Sequence, residues 1–320
     1  GSYSCHGMEP GDEGQVDKIN QDCACCGHPF AGLKGTALFC VYDGHGKYGH
    51  DVSNEAMHTM YHSLEVADQE LIDDPMGTLA DAFDACNIHL RMMACEPEMI
   101  VNPLDSGTCA VVAFVHGAEL FVAGVGDCRC VLGTMPADDG ASLQALALST
   151  DHKVDLPGEK ARIESKGGWV RPAVEPEDGD GDGEFVPARM YERKGSTELG
   201  PGLCISRALG DLHALRCGLI PTPEVFSHVI SADDRFLILA TDGVWEFISN
   251  EEAVRLVDDF FQKGLPALDA CRFLIAKAAV AWRQEEGDYR DDITAVVVYL
   301  PQLLDLFDGE NTTAQGSDEA

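Results

Sequence analysis

The sequence is poor in basic residues. Only 22 lysines and arginines stand against 55 aspartates and glutamates, which leaves a formal net charge of -33 at pH 7. A surface this acidic repels nucleic acid phosphates and anionic membranes, and it favours cationic partners such as divalent metal ions. Long apolar runs are also lacking, because no stretch reaches the roughly 20 residues that a membrane-spanning helix needs. We therefore expect neither nucleic acid nor a membrane span.

Cysteine is plentiful but has no regular spacing. The 13 cysteines are odd in number, and several lie in apolar segments, as Cys40, Cys109 and Cys204 do. We interpret them as reduced thiols that fill the core of an intracellular protein of the cytoplasm or nucleus. The CACCGH cluster at residues 23–28 has no second pair at zinc-finger spacing, so a zinc site is the minor alternative.

Apolar patterns predict a mixture of strands and helices. Short apolar and β-branched runs predict buried strands at 38–42, 109–115, 120–125, 236–240 and 294–300. Helical spacing of apolar residues predicts helices at 53–65, 76–93, 157–166, 249–263 and 266–283. The strands occur in groups with helices between the groups, which favours an α+β layered domain with mostly antiparallel sheets.

Two segments lack such patterns and are predicted to be loop-like. Residues 167–202 contain the acidic run EPEDGDGDGEF at 175–185, whose aspartates imitate the start of a calcium-binding loop. The twelfth position of that loop would be Arg189, where calcium needs an acid, so we interpret the run as a solvated acidic insert. The polar tail after Leu306 is expected to be disordered.

Four aspartates lie at the ends of predicted strands. Asp43, Asp127 and Asp242 follow apolar strands, whereas Asp291 precedes one. If the last strand runs antiparallel to the others, its start lies at the same sheet edge as their ends. An Asp-Gly pair taken alone is typical of a hairpin turn. Two interpretations therefore stand, separate turns or carboxylates that converge on one rim.

Converging carboxylates predict a metal site. Several of them stay ionised together only when cations neutralise them, and their oxygens select hard divalent ions such as Mg²⁺ or Mn²⁺. A glycine after the acid, such as Gly44, lets the main chain approach an ion and offer its carbonyl. Two such ions would acidify a water for in-line attack on phosphorus. His45, two residues beyond Asp43, would protonate the departing alkoxide.

Other kinds of phosphate site lack the residues that they need. GHGKYG at 44–49 has Tyr48 where a phosphate loop needs Ser or Thr. No cysteine is followed six residues later by arginine, as a cysteine phosphatase requires. The GDLH sequence at 210–213 is not accompanied by the further motifs of calcineurin-like metallophosphatases, and no Gly-x-Ser-x-Gly turn occurs.

These residues together resemble the metal-dependent serine/threonine protein phosphatases of the type 2C (PPM) family, over residues 18–300. The matching pieces occur in the family's order: KINQD (18–22), FCVYDGHGKYG (39–49), SGTCAVVAFV (106–115), VAGVGDCRCVL (122–132), LSTDHK (148–153), GLCISRALGD (202–211), LILATDGVWEFISNEE (237–252) and DDITAVVV (291–298). The resemblance implies one catalytic domain over 1–320. It would be a central sandwich of two antiparallel sheets flanked by helices, with a binuclear metal cleft at one end.

The resemblance also implies which residues hold metal. Two Mg²⁺ or Mn²⁺ ions would be bound by Asp43, the carbonyl of Gly44, Asp242 and Asp291. Asp22 would hold a metal-bound water, and Asp127 would belong to a third, weaker site.

Other positions match the family in further roles. His45 corresponds to the general acid, and residues 168–200 correspond to a mobile flap that the acidic insert enlarges. Lys18 stands four residues before Asp22, where many members place an arginine shortly before that acid. It would offer the phosphate a point charge instead of a bidentate fork. Four further residues are expected to brace the site: Asp151, His152, Arg207 and Asp211.

The implied activity is metal-dependent hydrolysis of phosphoserine and phosphothreonine in phosphoprotein substrates. Separately, we expect the protein to be a monomer. Two alternatives stay open, a catalytically silent relative that binds partners and an enzyme that hydrolyses a small phosphorylated metabolite. Silent relatives usually lack the metal acids, which this chain retains as Asp43, Asp242 and Asp291. The acidic insert predicts a preference for phosphosites flanked by lysine or arginine.

Overall fold

The apolar runs fold into strands and helices that follow one another in chain order. The computed structural model describes residues 1–11, 14–96, 101–136, 142–174, 185–195 and 200–315, with side chains of the last helix described up to residue 310. Strands β1 to β16 are Ser2–Cys5, Met8–Gly11, Gly14–Asp17, Asp22–Gly27, Thr36–His45, Gly107–His116, Glu119–Val125, Arg129–Thr134, Gln144–Ala147, Trp169–Arg171, Arg189–Tyr191, Pro201–Leu203, Leu209–Gly210, Glu224–Val229, Asp234–Ala240 and Ile293–Tyr299. Helices α1 to α8 are Gly49–Val66, Asp68–Asp73, Pro75–Met93, Pro157–Ser165, Asp242–Trp245, Asn250–Gln262, Ala267–Glu285 and Leu300–Gln315.

Two antiparallel sheets form the centre of the fold. One has the strand order β1-β16-β15-β8-β9, and the other has the order β14-β7-β6-β5-β4 with β13 beside β6. Side chains that alternate along β5 enter different cores: Val41 packs between the sheets, whereas Cys40 and Tyr42 pack on the helical side. The predicted sandwich of two antiparallel sheets flanked by helices is therefore confirmed.

Helices cover the outer face of each sheet. Met60 of α1 and Phe83 of α3 are buried against one sheet. Val254 of α6 and Leu274 of α7 are buried against the other. The strands are thus enclosed on both faces, which explains why their sequences are continuous apolar runs instead of alternating ones. No described helix has the length and apolar character needed to cross a membrane.

Strand β4 is an element that the sequence patterns did not predict. Its thiol-rich CACCG sequence lacks a clear apolar run, yet Cys25 lies directly opposite Cys40 of β5. Cys23 and Cys25 pack on the helical side of the sheet, and Cys26 faces the other way because strand side chains alternate. All thirteen cysteines are free thiols.

The expectation that the tail after Leu306 is disordered is wrong for its described residues, because helix α8 runs from Leu300 to Gln315. Leu300, Leu303 and Phe307 recur at helical spacing and are only 0, 6 and 4% exposed within the core between the sheets. The Phe307 ring also stacks on His28, with ring centroids 5.5 Å apart. This apolar stripe spans only two helical turns and is surrounded by polar residues. The sequence alone therefore suggested a solvated tail.

Part of the predicted flap lies in a small three-stranded sheet, β10-β11-β12. The aspartates of the acidic insert, Asp178, Asp180 and Asp182, lie outside the described residues. The interpretation of that segment, and of the flap as mobile, stays a prediction.

The docking of α8 generates a stability prediction. We expect Phe307→Ala to lower the free energy of unfolding by roughly 3 kcal/mol, because a buried ring leaves a cavity. Urea denaturation followed by circular dichroism measures the change. Leu306→Ala on the same helix is the control, since Leu306 is 56% exposed and its loss should cost less than about 0.5 kcal/mol. Equal effects of the two substitutions would show that α8 does not dock as described.

Candidate metal centre

Strand register brings acidic residues to one end of the sandwich. Asp22 at the start of β4 lies directly opposite Asp43 near the end of β5. Asp127 lies two residues after the end of β7. Asp242 is the first residue of α5 and lies two residues after the end of β15. Asp291 precedes β16, whose start meets the end of β15 because the two strands are antiparallel. Sheet pairing therefore fixes the positions of all five backbones.

Three of these carboxylates form a close group. Asp43, Asp127 and Asp242 each offer an oxygen, and the three oxygens lie within 4.8 Å of one another. Over the described part of the chain, no other group of three or more acidic, histidine or cysteine side chains is this close. A set made only of carboxylate oxygens fits hard divalent cations such as Mg²⁺ and Mn²⁺.

Asp291 and Asp22 lie beside this group and not within it. The Oδ1 atom of Asp291 is 2.8 Å from Lys18 Nζ, and the residue lines the same cleft of about 510 Å³ as Asp43 and Asp242. Asp22 accepts a hydrogen bond from Thr241 Oγ1 at 2.9 Å. The structure thus includes Asp127, which the resemblance assigned to a third site, in the close group with Asp43 and Asp242, and leaves Asp291 outside that group.

Burial and crowding raise the pKa of Asp22, Asp43 and Asp242. Burial, followed by the charges of Asp22 and Asp291, raises the pKa of Asp43 well above its usual value. Burial, followed by the charge of Asp43, does the same to the pKa of Asp242. Burial and the charge of Asp292 raise the pKa of Asp22. The ionised form of each is unfavourable here, which is the condition that a bound cation relieves.

Asp127 differs because the chain supplies its counter-ion. Lys153 Nζ lies 2.6 Å from Asp127 Oδ2, and the Cys109 thiol donates to Asp127 Oδ1 at 3.1 Å. Burial acts to raise the pKa of Asp127, but Lys153 outweighs it and the net shift is downward. The sequence interpretation did not assign Lys153 a role. The sequence did contain a signal for this role: Lys153 directly follows Asp-His in LSTDHK, soon after the predicted buried strands.

Gly44 is required by packing at the cleft floor. A Cβ atom at this position would lie 2.4 Å from the Gly49 carbonyl oxygen and 2.5 Å from the Gln21 carbonyl oxygen. The Gly44 amide donates to Gln21 O at 3.1 Å, and the Gln21 side chain donates to Gly46 O at 2.7 Å. The main chain beside Asp43 is therefore held tightly against the segment that carries Asp22.

His45 is paired with a distant acid. Its Nε2 atom lies 2.6 Å from Asp211 Oδ2. Asp211 has a φ of 44°, a left-handed conformation that is unusual for a residue with a side chain. Gly107 makes room for it, since a Cβ there would lie 2.2 Å from Asp211 Oδ2. Burial acts to lower the pKa of His45, but the Asp211 carboxylate outweighs it and raises that pKa.

Other acids support the main chain around the centre. The Asp292 carboxylate accepts from the backbone amides of Gln21, at 2.9 Å, and Gly7, which fixes the chain next to Asp22. Sequence patterns could not separate Asp292 from Asp291, because only the structure shows that the two side chains point to different partners. The expected bracing residues Asp151, His152 and Arg207 do not line the cleft, whereas Asp211 does.

Comparisons with known proteins identify the class of this site. The family model for protein phosphatase 2C matches residues 11–286. The chain is 34% identical over 299 residues to probable protein phosphatase 2C 34 of Arabidopsis thaliana, covering 88% of this chain and 77% of that protein. It is 33% identical over 305 residues to probable protein phosphatase 2C 48 of Oryza sativa subsp. japonica, covering 88% and 80%.

The fold agrees with that match. The crystal structure of serine-threonine phosphatase 2C from Toxoplasma gondii superposes with a TM-score of 0.73 at 22% identity, covering 93% of each chain. The fold is therefore that of a solved phosphatase 2C, and the carboxylate cleft suits a divalent metal ion. The chain belongs to the protein phosphatase 2C family, whose members remove phosphate from serine and threonine residues of proteins with the help of metal ions.

Repulsion among the carboxylates generates a second stability prediction. In EDTA, Asp43→Asn should raise the melting temperature by a few degrees, roughly 1 kcal/mol, because one buried charge is removed from the group. Wild-type protein should gain stability when Mn²⁺ is added, and the variant should gain much less. Thermal melts with and without Mn²⁺ measure both effects.

Asp81→Asn is the matched control, because Asp81 is exposed on α3. It should leave both the melting temperature in EDTA and the gain from Mn²⁺ unchanged. A variant at Asp43 that is less stable than wild type in EDTA would contradict the repulsion argument.

Proposed function

We propose that this chain hydrolyses phosphoserine and phosphothreonine in proteins, using two Mg²⁺ or Mn²⁺ ions held by Asp43, the Gly44 carbonyl, Asp242 and Asp291. We assign Asp127 to a third ion. The observation that carries the proposal is the close carboxylate group in a chain of this family. When bound, the ions would lower the pKa of a coordinated water and neutralise charge on the phosphoryl oxygens.

Asp22 would orient the attacking water. One oxygen of its carboxylate already accepts from Thr241, which holds the side chain in place beside Asp43. Thr294 also hydrogen-bonds to this carboxylate, and a water held by a neighbouring ion would be a further partner. A water held from this side needs no further reorientation before it attacks phosphorus.

His45 would donate a proton to the departing serine or threonine alkoxide. Burial opposes the charged ring, but pairing with Asp211 raises the pKa of the imidazole, which favours the protonated form that a general acid needs. It lies on the same cleft wall as Asp43 and Gly44 and is 27% exposed, so a substrate oxygen can reach it. General acid catalysis matters here because a serine alkoxide is a poor leaving group.

Lys18 would contact the phosphate oxygens. Its ammonium group lines the cleft, 2.8 Å from Asp291 Oδ1 and 5.1 Å from the centroid of the Tyr289 ring. The ring and the carboxylate restrict where the flexible lysine can place its charge. The expected monomeric state belongs to the same proposal, since a net charge of -33 opposes self-association.

The metal ligands give the first activity prediction. Asp242→Asn should reduce kcat/KM on a phosphothreonine peptide by roughly 100-fold or more, because an ion loses a charged ligand. Phosphate release is measured over a titration of Mg²⁺ and of Mn²⁺, with Asp81→Asn as the control that keeps wild-type activity. A wild-type protein without turnover under either metal would indicate a silent binding protein. Turnover restricted to small phosphorylated metabolites would indicate the other alternative.

The general acid gives the second activity prediction. His45→Gln should lower kcat on a phosphothreonine peptide by roughly 100-fold, yet lower it far less on p-nitrophenyl phosphate, because nitrophenolate leaves without a proton. His58→Gln serves as the control, since His58 is exposed on α1. An equal loss on both substrates would show that His45 positions water or metal and does not donate a proton.

A further inference from the structure

A second cavity opens beside the metal cleft. It has a volume of about 650 Å³ and shares Asp127, Asp242 and Asp291 with that cleft. These three carboxylates therefore lie between the two spaces. A polypeptide with its phosphorylated residue at the metal centre would have a nearby residue next to this second cavity, which we call the side pocket.

Aromatic rings form a rigid wall of the side pocket. Trp282 of α7 meets Phe247 edge-on, with ring centroids 4.8 Å apart, and lies 5.9 Å from the Tyr289 ring. The Trp282 indole donates to the Gly243 carbonyl at 2.7 Å, which anchors it next to Asp242. Phe247 and Tyr289 keep part of their rings open to solvent. Ring faces attract cations, and since Lys18 already lies over Tyr289 and Trp282 is buried, Phe247 is the ring that a further cation would meet.

Free carboxylates surround this wall. Glu246, Glu286 and Asp155 line the side pocket, all three are exposed, and none forms an ion pair with another residue that the structure describes. The cations of the pocket are Lys153, which is taken up by Asp127, and Arg189, which donates to the Gly202 carbonyl at 2.6 Å. Lys153 and Asp127 offset each other, and the three exposed carboxylates outnumber Arg189, so the side pocket is negative.

We propose that the side pocket binds a lysine or arginine side chain of the substrate, close in sequence to the phosphorylated residue. The inference rests on the proposed function, because it assumes that the phosphate occupies the metal cleft. An arginine can stack its guanidinium plane on the aromatic wall while it donates to Glu246 or Glu286. Acidic flanking residues meet uncompensated carboxylates there and are disfavoured.

The test compares phosphothreonine peptides that carry one arginine, scanned through three positions on each side, with the same peptides carrying norleucine. We expect the best arginine position to raise kcat/KM about fivefold or more over norleucine. Glu286→Gln should reduce this ratio to about twofold or less. Raising the salt concentration should reduce it as well, because exposed charges are screened.

Glu285→Gln is the matched control. Glu285 is the neighbouring residue, it is exposed, it changes the net charge by the same amount, and it does not line the side pocket. It should keep the wild-type ratio. A wild-type ratio near one at every position, or an equal fall in both glutamate variants, would overturn the inference while the proposed function stands.

A binding measurement separates the two proposals fully. Fluorescence anisotropy of the labelled arginine and norleucine peptides on the Asp242→Asn protein measures affinity without turnover. The side pocket is supported if the arginine peptide binds more tightly than the norleucine peptide and if Glu286→Gln abolishes this difference. That conclusion holds even if the wild type hydrolyses neither peptide. Equal affinity of the two peptides would overturn it, whereas absent hydrolysis would overturn only the proposed function.

Discussion

The structure depends on holding several carboxylates together at one end of two sheets. Asp43 is fixed between Asp22 of β4 and Cys109 of β6, so ladder hydrogen bonds prevent it from retreating when its neighbours are ionised. Packing of the strands on both faces stabilises this arrangement against the cost of burying the carboxylates and their mutual repulsion, which together raise the pKa of Asp43 and Asp242. The layered fold is therefore what allows an electrostatically unfavourable group to exist.

Some of the clustered aspartates have a lysine counter-ion within the chain and others do not. This difference separates the aspartates that most need a metal ion from those that need it least. Asp127 has Lys153 as an internal counter-ion, and Asp291 has Lys18. Asp43 has no such cation among its described ion pairs, and its raised pKa shows the consequence. A divalent ion is thus needed most where the sequence provides no positive charge. At Asp127 and Asp291, an arriving ion competes with a lysine that is already in place.

Sequence patterns predicted β5, β6, β7, β15 and β16, whose residues are apolar on both faces, and the acids at their ends, but not the equally buried β8. They missed β4 because thiols interrupt its apolar pattern, and α8 because a stripe of Leu303 and Phe307 is too short to stand out. Contacts such as His45 with Asp211 join residues 166 positions apart. Local sequence periodicity cannot predict a contact over such a separation, so the pairing is visible only in the folded structure. The roles of the site residues still have to be tested by activity measurements.

The same carboxylates cannot both bind metal ions and select a basic substrate. If ions bind Asp127, Asp242 and Asp291 as proposed, those residues would present little negative charge to the side pocket. Charge selectivity must then come from acids that are not ligands, and Glu246 and Glu286 stand where that charge is required. In the proposed function, the metal cleft would contact the phosphate and the leaving oxygen, groups that every phosphoserine or phosphothreonine shares. Discrimination between phosphosites therefore has to be located beside the cleft, on the residues that surround the aromatic wall.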